Sequence, residues 1–446
     1  MIWTSLDTWI VVAAALAGLA SALVGSFLVL KKMSMMGDAI SHAVLPGIAV
    51  AFILTSSHAS GVMFLGAAVI GVLTAVLVQL VQRYGRLEQG AAMGVVFTVL
   101  FAVGLILIEQ AAQHVDIHPE HVLFGAVELV PLYTLQLFGL AIPRGVAVLG
   151  VITVVNLAVV VLFFKELRLA GFDPALADAL GIGSGRMHYL LMVLVALTTV
   201  AAFEVVGSIL VIAMLIVPGA TAHLLTKRLV SFLVVACGVA VTAAVLGHVA
   251  AITVPPWFGF EDTGTAGSMA VVLGLLFTGA LLTAPENGVI PQALTLLHRR
   301  VVVARQDILG LLVRHTETFS TKGNAVLVPE PTGLNLQQLR SLPGSPFPAG
   351  SGMLRLALIT LRLSGSVSRT GKRYYLTPQG MKQAHELLRS HRLWERFFHD
   401  EGNVLLDELH PAADYLEHYT DGELREALAH KYTGEGRDPR GNKIPD

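Results

Sequence analysis

Residues 23–52 read LVGSFLVLKKMSMMGDAISHAVLPGIAVAF, and their reading decides the fold of most of the chain. One apolar run ends at Lys31-Lys32, and a second follows that carries Asp38, His42 and then Pro46-Gly47. Four residues is just over one helical turn, so Asp38 and His42 share a helix face. In water that pair is commonplace. In a hydrocarbon layer an aspartate at the centre of a helix costs about 2.5–3.5 kcal/mol, so it requires a partner or a task.

The composition places this stretch in a membrane. The chain has 446 residues, 54% hydrophobic and only 14% charged, with a mean hydropathy of +0.70. That lies outside the usual globular balance. The charge is unevenly spread: residues 1–297 hold 24 charged side chains and residues 298–446 hold 37. The first part reads as polytopic membrane protein and the second as a soluble domain. The single cysteine, Cys237, lies in an apolar run, which excludes a disulfide framework and a thiolate metal cluster. The net charge of −1 says nothing about partners.

A spanning helix needs about 20 mostly apolar residues. Stretches 9–30, 61–81, 90–111, 146–164, 187–205, 207–224, 230–252 and 268–284 qualify. The stretch 43–55 is short and holds Pro46 and Gly47, so it spans only if broken or packed against neighbours. Counting it gives about nine spans. Residues 122–142, interrupted by Glu128, Pro131 and Pro143, read as an excursion at one surface. Basic residues cluster in alternate loops: Lys31, Lys32, Arg83, Arg86, Lys165, Arg168, Arg186, Lys227 and Arg228. Loops 56–60, 112–121 and 253–267 have none. The basic loops are therefore expected in the cytoplasm, together with the C-terminal domain, and the N-terminus outside. The loop 112–121, with His114, Asp116, His118, Glu120 and His121, reads either as a cation-collecting surface or as a solvated loop.

The loop 165–186, KELRLAGFDPALADALGIGSGR, differs from the others. It has a helical rhythm, a Pro174 suited to a first turn, and a Gly-rich exit. A short amphipathic helix held in a cytoplasmic loop is a docking surface, and the alternative is a plain connection.

After residue 300 the pattern is soluble. RRVVVARQDILGLLVRH (299–315) is a helix by periodicity. Residues 316–334, polar and with Pro and Gly, read as a linker or long loop, and LNLQQLRSL and GMLRLALITLRLSG as two further helices. SVSRTGKRYYLTPQG is a hairpin around Thr370-Gly371 followed by a helix start at Thr377-Pro378. That order is the order of a winged helix-turn-helix. Helices over 379–398, 404–418 and 421–431 close the chain. The expected fold class is an all-α polytopic membrane domain of about nine helices plus a cytoplasmic winged-helix and helical metal-binding domain. The expected domains are a membrane domain at 1–286, a connecting segment and first helix at 287–334, a winged-helix-like region at 335–378, and a helical domain at 379–446.

Asp38 and His42 offer oxygen and nitrogen ligands that suit Mn²⁺, Zn²⁺ or Fe²⁺. So small a set would hold an ion weakly enough to release it. The residues alone leave a second reading open, in which Asp38 caps its helix and His42 is an interior histidine. Glu204, between two apolar runs, either lines the path or lies at the outer interface. His223 and His248 read as structural. In the soluble part, His391 and Glu395 stand four apart, and Asp414, Glu417 and His418 stand at i, i+3 and i+4, with His410 one turn before. Imidazoles with carboxylates favour Mn²⁺, Fe²⁺ or Zn²⁺.

LVGSFLVLKKMSMMGDAISHAVLPGIAVAF, AAMGVVFTVLFAVGLILI, FKELRLAGFDPALADALG and FEVVGSILVIAMLIVPGATAHLLT resemble the membrane permeases of manganese, zinc and iron-uptake ABC transporters. The resemblance covers about 1–286. It implies that Asp38 and His42 match the aspartate–histidine pair of the ion path. It also implies that Phe172, Asp173, Pro174, Ala177, Leu180 and Gly181 belong to a helix that docks on a separate cytoplasmic ATPase. An extracytoplasmic metal-binding protein and a second permease, a copy or a relative, are the other partners it implies. The chain has no Gly-x-x-x-x-Gly-Lys-Ser/Thr loop, so ATP is expected only on a partner subunit, and the chain is not expected to be an enzyme.

LTPQGMKQAHELLRSHRLWERFF, LLDELHPAADYLEHYTDGELREAL and RDPRGNKIP resemble the metal-dependent repressors of the diphtheria toxin repressor and manganese-regulator type. The resemblance runs over about 300–446. It implies that His391, Asp414, Glu417 and His418 match metal ligands, and that Glu395 and His410 match an ancillary site. It places Asp307 near a ligand of the first helix, but the next expected carboxylate falls at Gly310. The expected function is a permease subunit of an ABC importer for divalent transition metals, Mn²⁺ first and Zn²⁺ or Fe²⁺ next, with a metal-sensing domain. The alternative is a membrane-anchored metal-dependent repressor. DNA stays open as a partner: Arg355 and Arg362 are the only basic residues of the expected recognition helix, while Arg369, Lys372 and Arg373 in the wing suit phosphates.

Overall fold

The computed structural model describes residues 3–55, 60–112, 127–137, 140–260, 263–322, 333–348, 350–402, 404–405, 408–432 and 436–445. The chain divides into two compact units, Met1–Pro291 and Gln292–Asp446.

In the first unit, nine helices among the described residues are long and apolar enough to cross a membrane. They are α1 (Ser5–Leu30), α2 (Met36–Thr55), α3 (Ser60–Gly85), α4 (Gln89–Ala112), α5 (Arg144–Leu162), α8 (Ser184–Val206), α9 (Ser208–Leu225), α10 (Leu229–Thr253) and α11 (Thr265–Thr283). Two short helices, α6 (Phe164–Phe172) and α7 (Pro174–Ala179), lie between α5 and α8. The described part of the excursion is a 3-10 helix, Val127–Leu132, and a hairpin of β1 (Thr134–Leu137) and β2 (Leu140–Pro143). The histidine-bearing loop 112–121 lies, beyond its first residue, outside the described residues.

Small residues let these helices approach closely, as packing between apolar helices in lipid requires. Ala13, Ala14, Ala17 and Ala20 of α1 are fully buried. A Cβ on Gly25 of α1 would run into the backbone of Leu215 in α9. The stretch 43–55, short as a span on its own, is the second part of one unbroken helix. Residues 36–42 complete it, and their polar side chains concealed this in the hydropathy. Pro46 is tolerated because Gly104 of α4 lies against its ring and Gly47 lies against Gly66 of α3.

The second unit contains most of α12 (Val289–Lys322), then β3 (Leu334–Asn335), α13 (Leu336–Ser341), α14 (Gly352–Leu363), β4 (Val367–Thr370), β5 (Arg373–Leu376), α15 (Pro378–Asp400), α16 (Leu409–Glu417) and α17 (Gly422–Lys431). The strands form an antiparallel sheet in the order β3-β5-β4. Its hairpin turns at Gly371, whose φ of 63° favours glycine. Asn335 and Gln338 form a capping box for α13, and the Thr377 hydroxyl accepts the Gly380 amide of α15 at 3.1 Å. Ile308, Leu312, Leu339, Leu354, Leu358, Leu361 and Leu388 make the core under the winged helix. Two boundaries differ from the sequence reading. The first helix runs on through 316–322, a stretch without Gly or Pro. The helix expected at 404–418 begins only at Leu409, where Pro411 suits a first turn.

Candidate metal sites

Asp38 lies in the first turn of α2, where a carboxylate is favoured by the helix dipole. His42 Nε2 is 3.3 Å from Asp38 Oδ1, and the two side chains are 34% and 28% exposed. The pair lies level with the middle of neighbouring helices. A Cβ on the adjacent Gly37 would meet the Leu215 side chain, near the middle of α9. His42 also packs against Phe97 and Phe101, near the middle of α4, with ring centroids 6.0 and 5.8 Å away. The chain reaches this depth because α1 ends at Leu30 and turns through Lys32, whose φ is 58°. A carboxylate and an imidazole therefore stand together at mid-depth beside aromatic rings, partly open.

Glu204 does not join this pair. It is exposed on α8 and lines a separate cavity of about 460 Å³ with Tyr133, Arg144 and Val148. His248 is buried and paired: its Nε2 is 3.3 Å from Asp7 Oδ1 and its Nδ1 is 3.3 Å from the Thr265 hydroxyl. Glu128 accepts the Thr265 amide at 2.7 Å. These contacts tie together the ends of α1, α10, α11 and the 3-10 helix. His223 lines another cavity, of about 340 Å³, with Phe172 and the Lys227–Glu286 ion pair.

The loop 165–186 folds as two helices, not one. Asp173 separates them and caps the second, accepting the Leu176 amide at 3.0 Å, with Pro174 in the first turn. Gly181 leaves α7 at φ 80°. Phe172 and Leu180 are 63% and 64% exposed, while Ala177 is fully buried. The loop thus presents two large apolar side chains on a supported turn. Ala177 supports it from beneath.

The second unit gathers the predicted ligands around His391 of α15. Its Nε2 lies 3.2 Å from Glu395 Oε1 and 2.9 Å from His410 Nδ1, and His410 Nδ1 lies 3.4 Å from Glu395 Oε1. Its Nδ1 lies 2.6 Å from Glu417 Oε2. Two groups could hold an ion: His391, Glu395 and His410, or His391, Asp414 and Glu417. Donors on one ion at about 2.1 Å, set at tetrahedral or octahedral angles, are about 3.0–3.4 Å apart. The first group fits that spacing. His418 stands apart: its Nε2 is 3.1 Å from Asp307 and its Nδ1 is 2.9 Å from Gln306.

The electrostatics of this cluster are strongly coupled. Burial alone would push His391 down, but contacts with Glu395 and Glu417 outweigh it and hold the ring above the usual imidazole value. Burial alone would push Glu395 up, but His391 and His410 carry it far below the usual carboxylate value. His418 is likewise held up against burial by Asp307.

The membrane helices and this cluster each have counterparts among known proteins. Residues 6–284 match the model of the ABC 3 transport family. The chain belongs to the ABC 3 transport family. Residues 377–446 of this family member match a second model, the iron dependent repressor, metal binding and dimerisation domain. It is 42% identical over 295 residues to the manganese transport system membrane protein MntD of Bacillus subtilis (strain 168), covering 66% of this chain and 97% of that one. It is 34% identical to the zinc transport system membrane protein TroD of Treponema pallidum (strain Nichols), over 68% of this chain and 80% of that one. Among solved structures, PsaBC from Streptococcus pneumoniae in complex with Fab matches with a TM-score of 0.53 and 32% identity, covering 64% of this chain and 94% of that one.

Two features of this ABC 3 member escaped the sequence reading. One is the Asp7–His248 pair, whose partners stand 241 residues apart. The other is Arg314, whose Nη2 lies 3.7 Å from Asp414 Oδ1 and 3.6 Å from Glu417 Oε2. A spacing of seven from Asp307 puts Arg314 on the same helix face two turns on, and that was the available signal.

Proposed function

We propose that this chain is the permease subunit of an ATP-driven importer of divalent transition-metal ions, Mn²⁺ first and Zn²⁺ or Fe²⁺ next, carrying a cytoplasmic metal-sensing domain. The observation that carries the reading is the Asp38–His42 pair, 3.3 Å apart at mid-depth in a packed helix bundle. A hydrated divalent ion cannot cross an apolar path. One carboxylate and one neutral imidazole replace part of its water shell, and so few ligands let it leave again. Manganese and zinc in the names of the similar proteins support this substrate class.

The remaining partners follow from the same reading. Phe172 and Leu180 dock the cytoplasmic ATPase that hydrolyses ATP; the chain itself makes and breaks no bond. An extracytoplasmic protein delivers the ion, and a second permease completes the path. In the second unit His391, Glu395 and His410 hold the effector ion, which links their helices when bound and reports metal sufficiency. A mere membrane anchor for a repressor has no use for an aspartate and a histidine at mid-depth or for an exposed apolar turn at 172–180.

The test is metal accumulation. Cells that express the chain with its ATPase and binding protein are compared with cells carrying Asp38→Ala/His42→Ala, by elemental analysis for Mn, Fe and Zn. One metal accumulates in the first and falls at least tenfold in the second. Equal content in both, with folded protein in the membrane, removes the reading.

A further inference from the structure

The two ligand groups of the second unit share one imidazole, and that sharing limits them. A neutral imidazole has a single lone pair for a metal; its other nitrogen carries a proton. His391 faces Glu395 and His410 with Nε2 and faces Glu417 with Nδ1. It can therefore ligate on one side only, while the other nitrogen donates to a carboxylate. A ligating histidine usually makes that second contact, and it fixes the ring. Which side takes the ion is decided by what else is present. On the Nδ1 side the Arg314 guanidinium already lies among the donors. Its Nη2 is 3.5 Å from His391 Nδ1, 3.7 Å from Asp414 Oδ1 and 3.6 Å from Glu417 Oε2. An arginine stays charged at every physiological pH, so this cation is permanent. A divalent ion at the same oxygens would be repelled by it. Glu417 is 2% exposed, so little water screens the repulsion. On the Nε2 side the three donors have the spacing an ion needs, and the Arg440 charge also acts on Glu395.

We propose that Arg314 is the built-in cation of the His391–Asp414–Glu417 group, so that the domain takes one divalent ion, at His391–Glu395–His410, and not two. In this arrangement Glu417 is a positioning residue that holds the His391 ring, and Asp414 is an ion-pair partner of Arg314. The inference rests on the reading of the second unit as metal-binding.

The test counts ions. The full chain carrying Asp38→Ala/His42→Ala, which silences the membrane pair, is placed in nanodiscs and titrated with Mn²⁺ while free Mn²⁺ is read by its paramagnetic resonance. One ion binds per chain, and His391→Ala abolishes it. In the intact chain Glu395→Ala abolishes binding and Asp414→Asn does not. Arg314→Ala opens the Nδ1 side, so Glu395→Ala no longer abolishes binding there, and Arg314→Lys, which keeps the charge, behaves as the intact chain. Two ions in the chain with Arg314 intact, one of them lost in Asp414→Asn, overturn the proposal. So does a folded Arg314→Ala chain in which Glu395→Ala still abolishes all binding. If Arg314→Ala does not fold, Glu395→Ala against Asp414→Asn in the intact chain decides alone. Binding that His391→Ala leaves untouched removes the metal-binding reading itself, and this inference with it.

Discussion

Glu417 Oε2 lies 2.6 Å from His391 Nδ1, and the two side chains are 2% and 4% exposed. A contact between two groups so far from water sets a pH dependence whose sign can be worked out. His391 is held above its usual value by Glu395 and Glu417, against the opposing effect of burial. A raised value in the folded state contributes stability that is full below the unfolded value of about 6.5 and is lost as pH rises through the folded one. Glu395, carried down, contributes stability that is lost only as pH falls through its folded value. With a chelator present, the second unit is therefore expected to melt at falling temperature as pH rises from 6 to 9. Trp394, one turn from His391 on α15 and donating a hydrogen bond to the Thr420 hydroxyl at 2.8 Å, gives the fluorescence signal. The comparison is with His391→Gln, in which this part of the slope disappears. An identical slope in both chains contradicts the coupling.

The glycines of the membrane unit divide by what surrounds them. A Cβ on Gly25 meets the backbone of Leu215, which cannot move aside as a flexible side chain would. Overpacking of this kind costs about 1–3 kcal/mol. On α5, a Cβ on Gly150 meets nothing within 4 Å, and a helical Gly→Ala change there gains up to about 1 kcal/mol. Gly25→Ala is expected to lower the melting temperature and monodisperse yield in detergent, and Gly150→Ala to keep or raise both. Equal behaviour of the two variants contradicts the close approach of α1 to α9.

Exposure separates the proposed docking residues from buried ones in the loop 165–186. Leu180 is 64% exposed and Ala177 is fully buried. Leu180→Asp is expected to cost less than about 0.5 kcal/mol of stability, the usual range for a surface change. It is also expected to lower transport at least tenfold and to release the ATPase on co-purification. Ala177→Leu overfills a buried position, so it lowers stability first. An ATPase that stays bound to the Leu180→Asp chain removes this surface from the docking reading.

Much of this architecture could be read from local pattern. Eight spans announce themselves as apolar runs, and the wing shows itself in Thr370-Gly371 between alternating strands. The ninth, α2, is half hidden because Asp38 and His42, the pair proposed to handle the ion, lower its hydropathy. Sequence spacing brings Asp414, Glu417 and His418 onto one face. It cannot show that His418 turns to Gln306 and Asp307 instead, 2.9 and 3.1 Å away. Nor can it place Arg314 among the oxygens, since that depends on packing between α12, α15 and α16. Hydrogen bonds between distant segments, such as Asp7 with His248, leave no periodic trace at all.

DNA binding is where the surface argues against the order of elements. A helix that reads the major groove presents basic or amide side chains to base edges. On α14 the exposed side chains include Leu356, Ile359 and Leu363, at 40%, 56% and 83%. Positions 356, 359 and 363 follow one helix face, so that face is apolar. In the wing, the Arg369 guanidinium lies over the Tyr374 ring and donates to the Gly371 carbonyl at 2.9 Å. That leaves Lys372 and Arg373 as the exposed cations best suited to phosphate. Two or three phosphate contacts support only non-specific binding, with a Kd of about 1–100 μM at physiological salt. The full chain is expected to bind random and promoter-derived duplexes alike in that range, in the presence of Mn²⁺, with affinity that falls steeply between 50 and 200 mM salt. Fluorescence anisotropy on labelled duplexes measures it. A duplex bound about a thousandfold more tightly than random sequence would show that α14 reads bases after all, and the membrane unit would then carry a transcription factor as well as a transporter.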